Sequence, residues 1–170
     1  MDNSSKIISE NVTELRDAIG LSQKDFALLT GISRATLVNI ENGNKSIKVT
    51  SLDKIVSFTT IELEKLSKRG FKPPVNLREK LIQLYKNKPE IFVILSGTPS
   101  IPYIIKYKVL KTDFLNTPKE RWEIVEFIKE NYKWKINGNS LTNAFKRMTY
   151  LIKIEPHPTK GGTNVYSKKK

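Results

Sequence analysis

Cysteine is the first thing this chain lacks, for none occurs among its 170 residues. Disulfides, thiolate nucleophiles and cysteine metal sites are thereby excluded, and the expected setting is the reducing cytoplasm. Histidine is nearly missing too: His157 stands alone, between Pro156 and Pro158. A zinc site would need an unusual set of carboxylates, so neither metal nor cofactor is expected. No stretch approaches the roughly 20 apolar residues that cross a bilayer, and the polar start MDNSSKIISENV has no signal-peptide centre. No membrane partner is expected. Glycine-rich phosphate loops and serine elbows are missing as well. From residue 71 onward Asp113 is the sole aspartate. A metal-dependent nuclease wants two or three converging carboxylates, and Asp113 with Glu120 or Glu123 is a thin version of that demand. The chain reads as not an enzyme.

What is abundant is positive charge. There are 30 Lys+Arg against 17 Asp+Glu, a formal +13 with an isoelectric point near 9.8, which favours a polyanionic partner, nucleic acid ahead of a membrane surface. The charge is unevenly placed. Residues 1–70 carry 10 Lys+Arg and 9 Asp+Glu, whereas residues 71–170 carry 20 against 8. Hydrophobic residues, 38% of the total, can furnish one large or two small cores.

The most informative stretch is 21–42, LSQKDFALLTGISRATLVNIEN. Ser22 stands where an N-cap precedes a first helical turn, and Asp25 adds a favourable negative charge there. Phe26 and Leu29 mark an apolar face beside small Ala27. Gly31 can take the positive φ that stops this helix, and Ser33 caps a second one at once. Two caps so close leave a turn of about three or four residues, a helix-turn-helix. In the second helix Leu37 and Ile40 point inward. Arg34, Ala35, Val38, Asn39 and Asn42 share the opposite stripe, since residues four apart differ by only about 40° on a helix. Arg suits guanine, Asn suits adenine, and small apolar groups suit a thymine methyl.

Residues 15–58, with LRDAIGLSQKDFALLTGISRATLVNIENG followed by SLDKIVSF, resemble the phage-repressor (Xre or lambda-repressor type) helix-turn-helix family. That resemblance implies a phosphate or base contact for Gln23, and base reading by Arg34 and Ala35 at the opening of the recognition helix and by Asn39 one turn on, with Ser33 and Thr36 also in the DNA-binding set. It implies phosphate contacts for Asn42 and Lys45, and an orienting ion pair between Arg16 and Glu41.

Residues 1–9 read as frayed and 10–19 as the first helix, with Val12, Leu15 and Ile19 inward. Residues 51–67 supply one or two further helices, and Gly70, Pro73 and Pro74 break the chain at 71–75. A helix over 76–88, capped by Asn76 and ended by Pro89, is followed by the apolar run 91–95, read as a buried strand. Alternation over 103–110 predicts a half-exposed strand. A helix launched at Thr117-Pro118 buries Trp122, Val125, Phe127 and Ile128. A last helix, capped by Asn139 or Ser140 and running to about Tyr150, turns Asn143, Lys146, Arg147 and Tyr150 outward. Segments 151–155 and 163–167 flank a basic glycine-containing loop with Lys160, and Lys168 to Lys170 form a flexible tail. Helix, strand, basic loop, strand resembles the end of a winged-helix domain in pattern. One departure is that only one helix can be placed between the first strand and the wing after Tyr132.

The sequence thus predicts a mainly α, five-helix helix-turn-helix domain over 1–70, a linker at 71–75, and a basic α+β domain over 76–170 that is winged-helix-like at 118–170. The expected function is a repressor-like, sequence-specific transcriptional regulator, cytoplasmic and held at the nucleoid by double-stranded DNA. Its second domain adds DNA affinity through Asn143, Lys146, Arg147 and Lys160. Homodimers on half-sites about one helical turn apart are the expected assembly. Two other classes stay in view: an adaptor or antitoxin whose second domain holds a protein partner, and a DNA-processing or nuclease component.

Overall fold

The computed structural model describes residues 3–43 and 47–169. The chain divides into two compact units, Met1–Ser100 and Ile101–Lys170.

In the first unit α1 (Asn3–Ile19), α2 (Gln23–Thr30), α3 (Arg34–Asn42), α4 (Val49–Thr59) and α5 (Leu63–Leu66) enclose a core. Val12, Leu15, Ile19, Phe26, Leu37, Ile55 and Leu66 are buried there. The helix periodicity read from the sequence accounts for these inward positions. Residues 3–9, expected to fray, are instead the first turns of α1. Ser9 is buried, and its hydroxyl donates to the Ser5 carbonyl at 2.7 Å. The expectation for residues 1 and 2 lies outside the described residues.

The unit does not end at the expected linker. Leu77 and Leu81 of α6 (Leu77–Leu84) and Leu95 of α7 (Pro89–Ser96) are buried in the same core. Arg78 pins α6 in place: it is buried, and its guanidinium donates to the Ile19 carbonyl at 2.6 Å and to the Gly97 carbonyl at 2.8 Å. The prolines at 73 and 74 break the chain, yet α6 beyond them stays in the core. The run 91–95, read as a buried strand, is helix α7, because Pro89 occupies the first turn, where its missing N–H costs nothing and its fixed φ suits a helix. Pro89 therefore opens a helix rather than merely ending one. Asn76 does precede α6, without a side-chain cap bond.

In the second unit the expected strand over 103–110 is helical throughout: α8 (Ile101–Tyr103), a π-helical turn (Ile104–Lys108) and a 3-10 turn (Val109–Lys111). Tyr103, Ile104 and Ile105 are all buried. A half-exposed strand would bury every second residue, so apparent alternation there was coincidental. The first strand is β1 (Lys119–Glu120), at the point where the sequence predicted a helix start, and α9 follows at Arg121–Tyr132. Then come α10 (Gly138–Arg147), β2 (Ile152–Pro156) and β3 (Asn164–Lys168). The strands form one antiparallel sheet in the order β1-β3-β2, with Lys119 opposite Tyr166 and Ile154 opposite Tyr166 on the other side. Ile124, Ile128, Leu141, Phe145 and Tyr166 fill the core beneath it.

Two helices therefore lie between the first strand and the hairpin. Lys133 ends α9 with φ of 60°, and Asn137, rather than Asn139 or Ser140, caps α10 by accepting from the Asn139 and Ser140 amides. The helix stops at Arg147, short of the expected Tyr150. Lys168, expected in a flexible tail, is the last residue of β3, and the Lys169 amide beyond it donates to the Leu151 carbonyl at 2.8 Å.

Candidate nucleic-acid interface

The two caps expected at 22 and 33 are formed. The Ser22 hydroxyl accepts from the Asp25 amide at 3.1 Å, and the Ser33 hydroxyl accepts from the Thr36 amide at 3.0 Å. Gly31 takes φ of 67° and closes α2, a conformation that costs glycine little and β-branched residues much. With both ends fixed, α3 has one rotational setting. Leu37 and Ile40 go into the core while Arg34, Ala35 and Asn42 are exposed and Val38 and Asn39 half-buried. Arg34, Asn39 and Asn42 have no side-chain hydrogen bond or ion pair among the described residues. Thr36 shares a hydroxyl contact with Ser33 at 2.8 Å.

Behind this stripe lies a carboxylate that ties three helices together. Glu41 of α3 accepts from Arg16 of α1 at 2.5 Å and from the side-chain amide of Gln23 of α2 at 2.7 Å. Arg16 also donates to Asp17 and to the Leu21 carbonyl. The pair is nearly buried, with the Arg16 and Glu41 side chains 11% and 5% exposed. Desolvation offsets much of its attraction, so its effect is chiefly to fix how α3 sits. Gln23, expected to contact DNA, spends one amide N–H on Glu41.

Beside α3 is a hollow of about 330 Å³ lined by Ser33, Thr36, Asn39, Lys48 and Lys54. The Lys54 ammonium donates to the Gly31 carbonyl at 2.8 Å. Lys54 was not singled out from the sequence. Nothing in local spacing brings Lys54 to Gly31; only the packing of α4 against α2 does. Lys45 lies outside the described residues.

A family model described as Helix-turn-helix matches residues 12–66. Residues 12–66 are a helix-turn-helix domain. Comparison with curated proteins and with solved structures returned no match. The helix-turn-helix match runs from the middle of α1 to the end of α5 and stops before α6, which adds to the same core from outside the matched segment.

The second unit offers its own exposed stripe. Asn143, Lys146 and Arg147 of α10 are exposed, opposite buried Leu141, Ala144 and Phe145, as the sequence placed them, and none has a side-chain partner among the described residues. Lys160 is different. Its ammonium is paired with Glu120, which also faces the His157 ring at 3.6 Å. This holds the Glu120 carboxyl below its ordinary range, the Lys160 bond being the main cause and the His157 ring and Trp122 indole N–H lesser ones. The hairpin loop is thus fastened to the start of α9. Trp122, expected inside, is 64% exposed. Ile124 and Ile128 set the buried line of α9, and a residue two positions from Ile124 lies about 200° away. Arg121 was also not singled out; it donates to the Asn139 side chain at 3.0 Å and lies across Gly138, whose lack of a side chain gives it room.

The carboxylates weighed for a nuclease have other partners. Asp113 accepts from Asn116, and Glu123 accepts from the Glu120 amide in a capping box. Among the described residues no three His, Asp or Glu side chains are grouped so that they could hold a metal ion. Among them, too, no helix is long and apolar enough to cross a membrane.

Proposed function

We propose that this protein is a sequence-specific, repressor-like transcriptional regulator that inserts α3 into the major groove of double-stranded DNA. The observation that carries this reading is the outward stripe of α3: Arg34 and Asn39, unpartnered among the described residues, flank Ala35 on a helix capped at both ends. Arg34 would take guanine, Asn39 adenine, and Ala35 with Val38 a thymine methyl. Ser33, Thr36, Gln23, Asn42 and Lys45 would serve the flanking phosphates, joined by Lys48 and Lys54.

The second unit would add affinity. Strand order β1-β3-β2, with α9 and α10 between β1 and the hairpin, supports reading residues 118–170 as winged-helix-like, with Asn143, Lys146 and Arg147 of α10 toward the DNA. Its 15 Lys+Arg against 6 Asp+Glu over residues 101–170 fit the neutralisation that a nearly neutral reading head needs. Lys160 serves this reading less directly, because Glu120 holds it. We propose a homodimer on a palindromic site in the cytoplasm. Selection of bound sequences from a random duplex pool tests all of this: an enriched palindrome with two half-sites about one helical turn apart is expected, and a bound pool without a shared motif would contradict it.

A further inference from the structure

Trp122 is a large aromatic surface in a conspicuous place. It is 64% exposed on the first turn of α9, and it borders a hollow of about 370 Å³ framed by Arg121, Thr142, Thr163 and Asn164. That size sits at the low end of small-ligand sites, roughly 300–1,000 Å³. It has room for a flat heterocycle and none for a protein helix. Neighbours restrain the wall: Arg121 lies across Gly138 and is tied to Asn139, and Glu120, which precedes these two residues, is paired with Lys160 from the hairpin loop. The one carboxylate at the hollow is thereby neutralised. What remains is an aromatic face, a guanidinium, and amide and hydroxyl groups.

We propose that this hollow is a binding site for single-stranded nucleic acid, in which an unpaired base stacks on the Trp122 indole. Thr142 and Asn164 would meet the edge of the base, and Arg121 its phosphate. A base within a duplex cannot enter, because its faces are covered by its neighbours. Indole stacking tolerates any base, since every base presents a π-face. The surrounding excess of lysine and arginine favours a strand over a lone nucleotide. The site uses no residue of the α3 stripe, and it stands whether or not α3 selects an operator.

The test uses the full chain carrying Trp134→Phe, which leaves Trp122 as its only tryptophan. Trp134 stacks on Tyr132 at 5.2 Å, and phenylalanine keeps that contact. Tryptophan emission is followed during titration with an oligothymidine of about eight nucleotides, a length within the usual ~4–16 per site. A blunt random duplex of the same length and thymidine monophosphate are titrated in parallel. Quenching by the oligomer is expected at concentrations where the mononucleotide gives none. In the chain with Trp134 intact, Trp122→Ala should weaken single-strand binding, followed by fluorescence anisotropy of a labelled oligomer, by about 5- to 150-fold, the range for losing one stacked base. Duplex binding should change by less than about twofold, and Trp122→Phe should retain most of the single-strand affinity. Absence of quenching, equal losses on both nucleic acids, or a mononucleotide as effective as the oligomer would overturn the proposal.

Discussion

Arg16, Glu41 and Gln23 come from three helices, and the single carboxylate holds the other two side chains. Removing it leaves a guanidinium nearly out of water with only Asp17 and a carbonyl to answer it. Glu41→Ala is therefore expected to lower the unfolding free energy by about 3–5 kcal/mol in urea titrations. Replacing both partners together, Arg16→Met with Glu41→Leu, should cost much less, because no uncompensated charge remains. Equal costs for the single and double variants would mean that the pair is not what orients α3. Spacing reveals some of these side chains and hides others. Arg34, Ala35 and Asn39 could be placed outward from helix periodicity alone, and Ser22 and Ser33 from cap chemistry, since each depends on residues within four positions. That Gln23 would turn to Glu41, or Lys160 to Glu120, depends on pairs 18 and 40 residues apart, which no local pattern encodes.

At the scale of elements, α6 and α7 belong to the core built by α1 to α5. Leu81 is 1% exposed there, and truncating it leaves a cavity. Leu81→Ala should cost about 2–5 kcal/mol, and the loss should appear in the cooperative transition of the helix-turn-helix itself, followed by amide exchange of α2 and α3. Unchanged protection in those helices would place α6 outside that core. The sequence suggested a break because Gly70, Pro73 and Pro74 are strong local stops, yet a stop says nothing of where the chain packs afterwards. The same limit explains the two misread strands. A short apolar run such as 91–95 satisfies helix and strand alike, and the decision fell to Pro89. In the second unit the hairpin was legible because its strands flank glycines and prolines, whereas two-residue β1 left no pattern and took its pairing from β3.

The hairpin loop has a pH dependence of definite sign. Glu120 is held below its ordinary pKa chiefly by Lys160, so its ionised form is favoured in the folded state. The contribution is fully present above the unfolded value, about 4.3 for glutamate, and disappears as pH falls through the lower folded value. Protection of the Thr159, Lys160 and Thr163 amides, measured against the free-peptide exchange rate at the same pH, should fall across that acid window, and Glu120→Gln should give the low protection already at neutral pH. Protection independent of both changes would mean that the loop is held by other contacts.

Over the whole molecule, the helix-turn-helix and most of the net positive charge belong to different units: residues 1–100 carry 15 Lys+Arg against 11 Asp+Glu, and residues 101–170 carry 15 against 6. If phosphate neutralisation comes from the second unit, Lys146→Ala should weaken binding to all duplexes alike and reduce the salt slope by about 1. A slope unchanged by this substitution would remove α10 from the interface. Base reading by α3 is tested most directly by comparing wild type and Arg34→Ala on the selected operator and on a random duplex at one salt concentration. Weakening of the operator complex by about 1–3 kcal/mol, with the random complex nearly unchanged and the preference relaxed at one base pair, is the predicted result. Equal losses on the two duplexes would show that Arg34 touches phosphate rather than a base edge, and would contradict it.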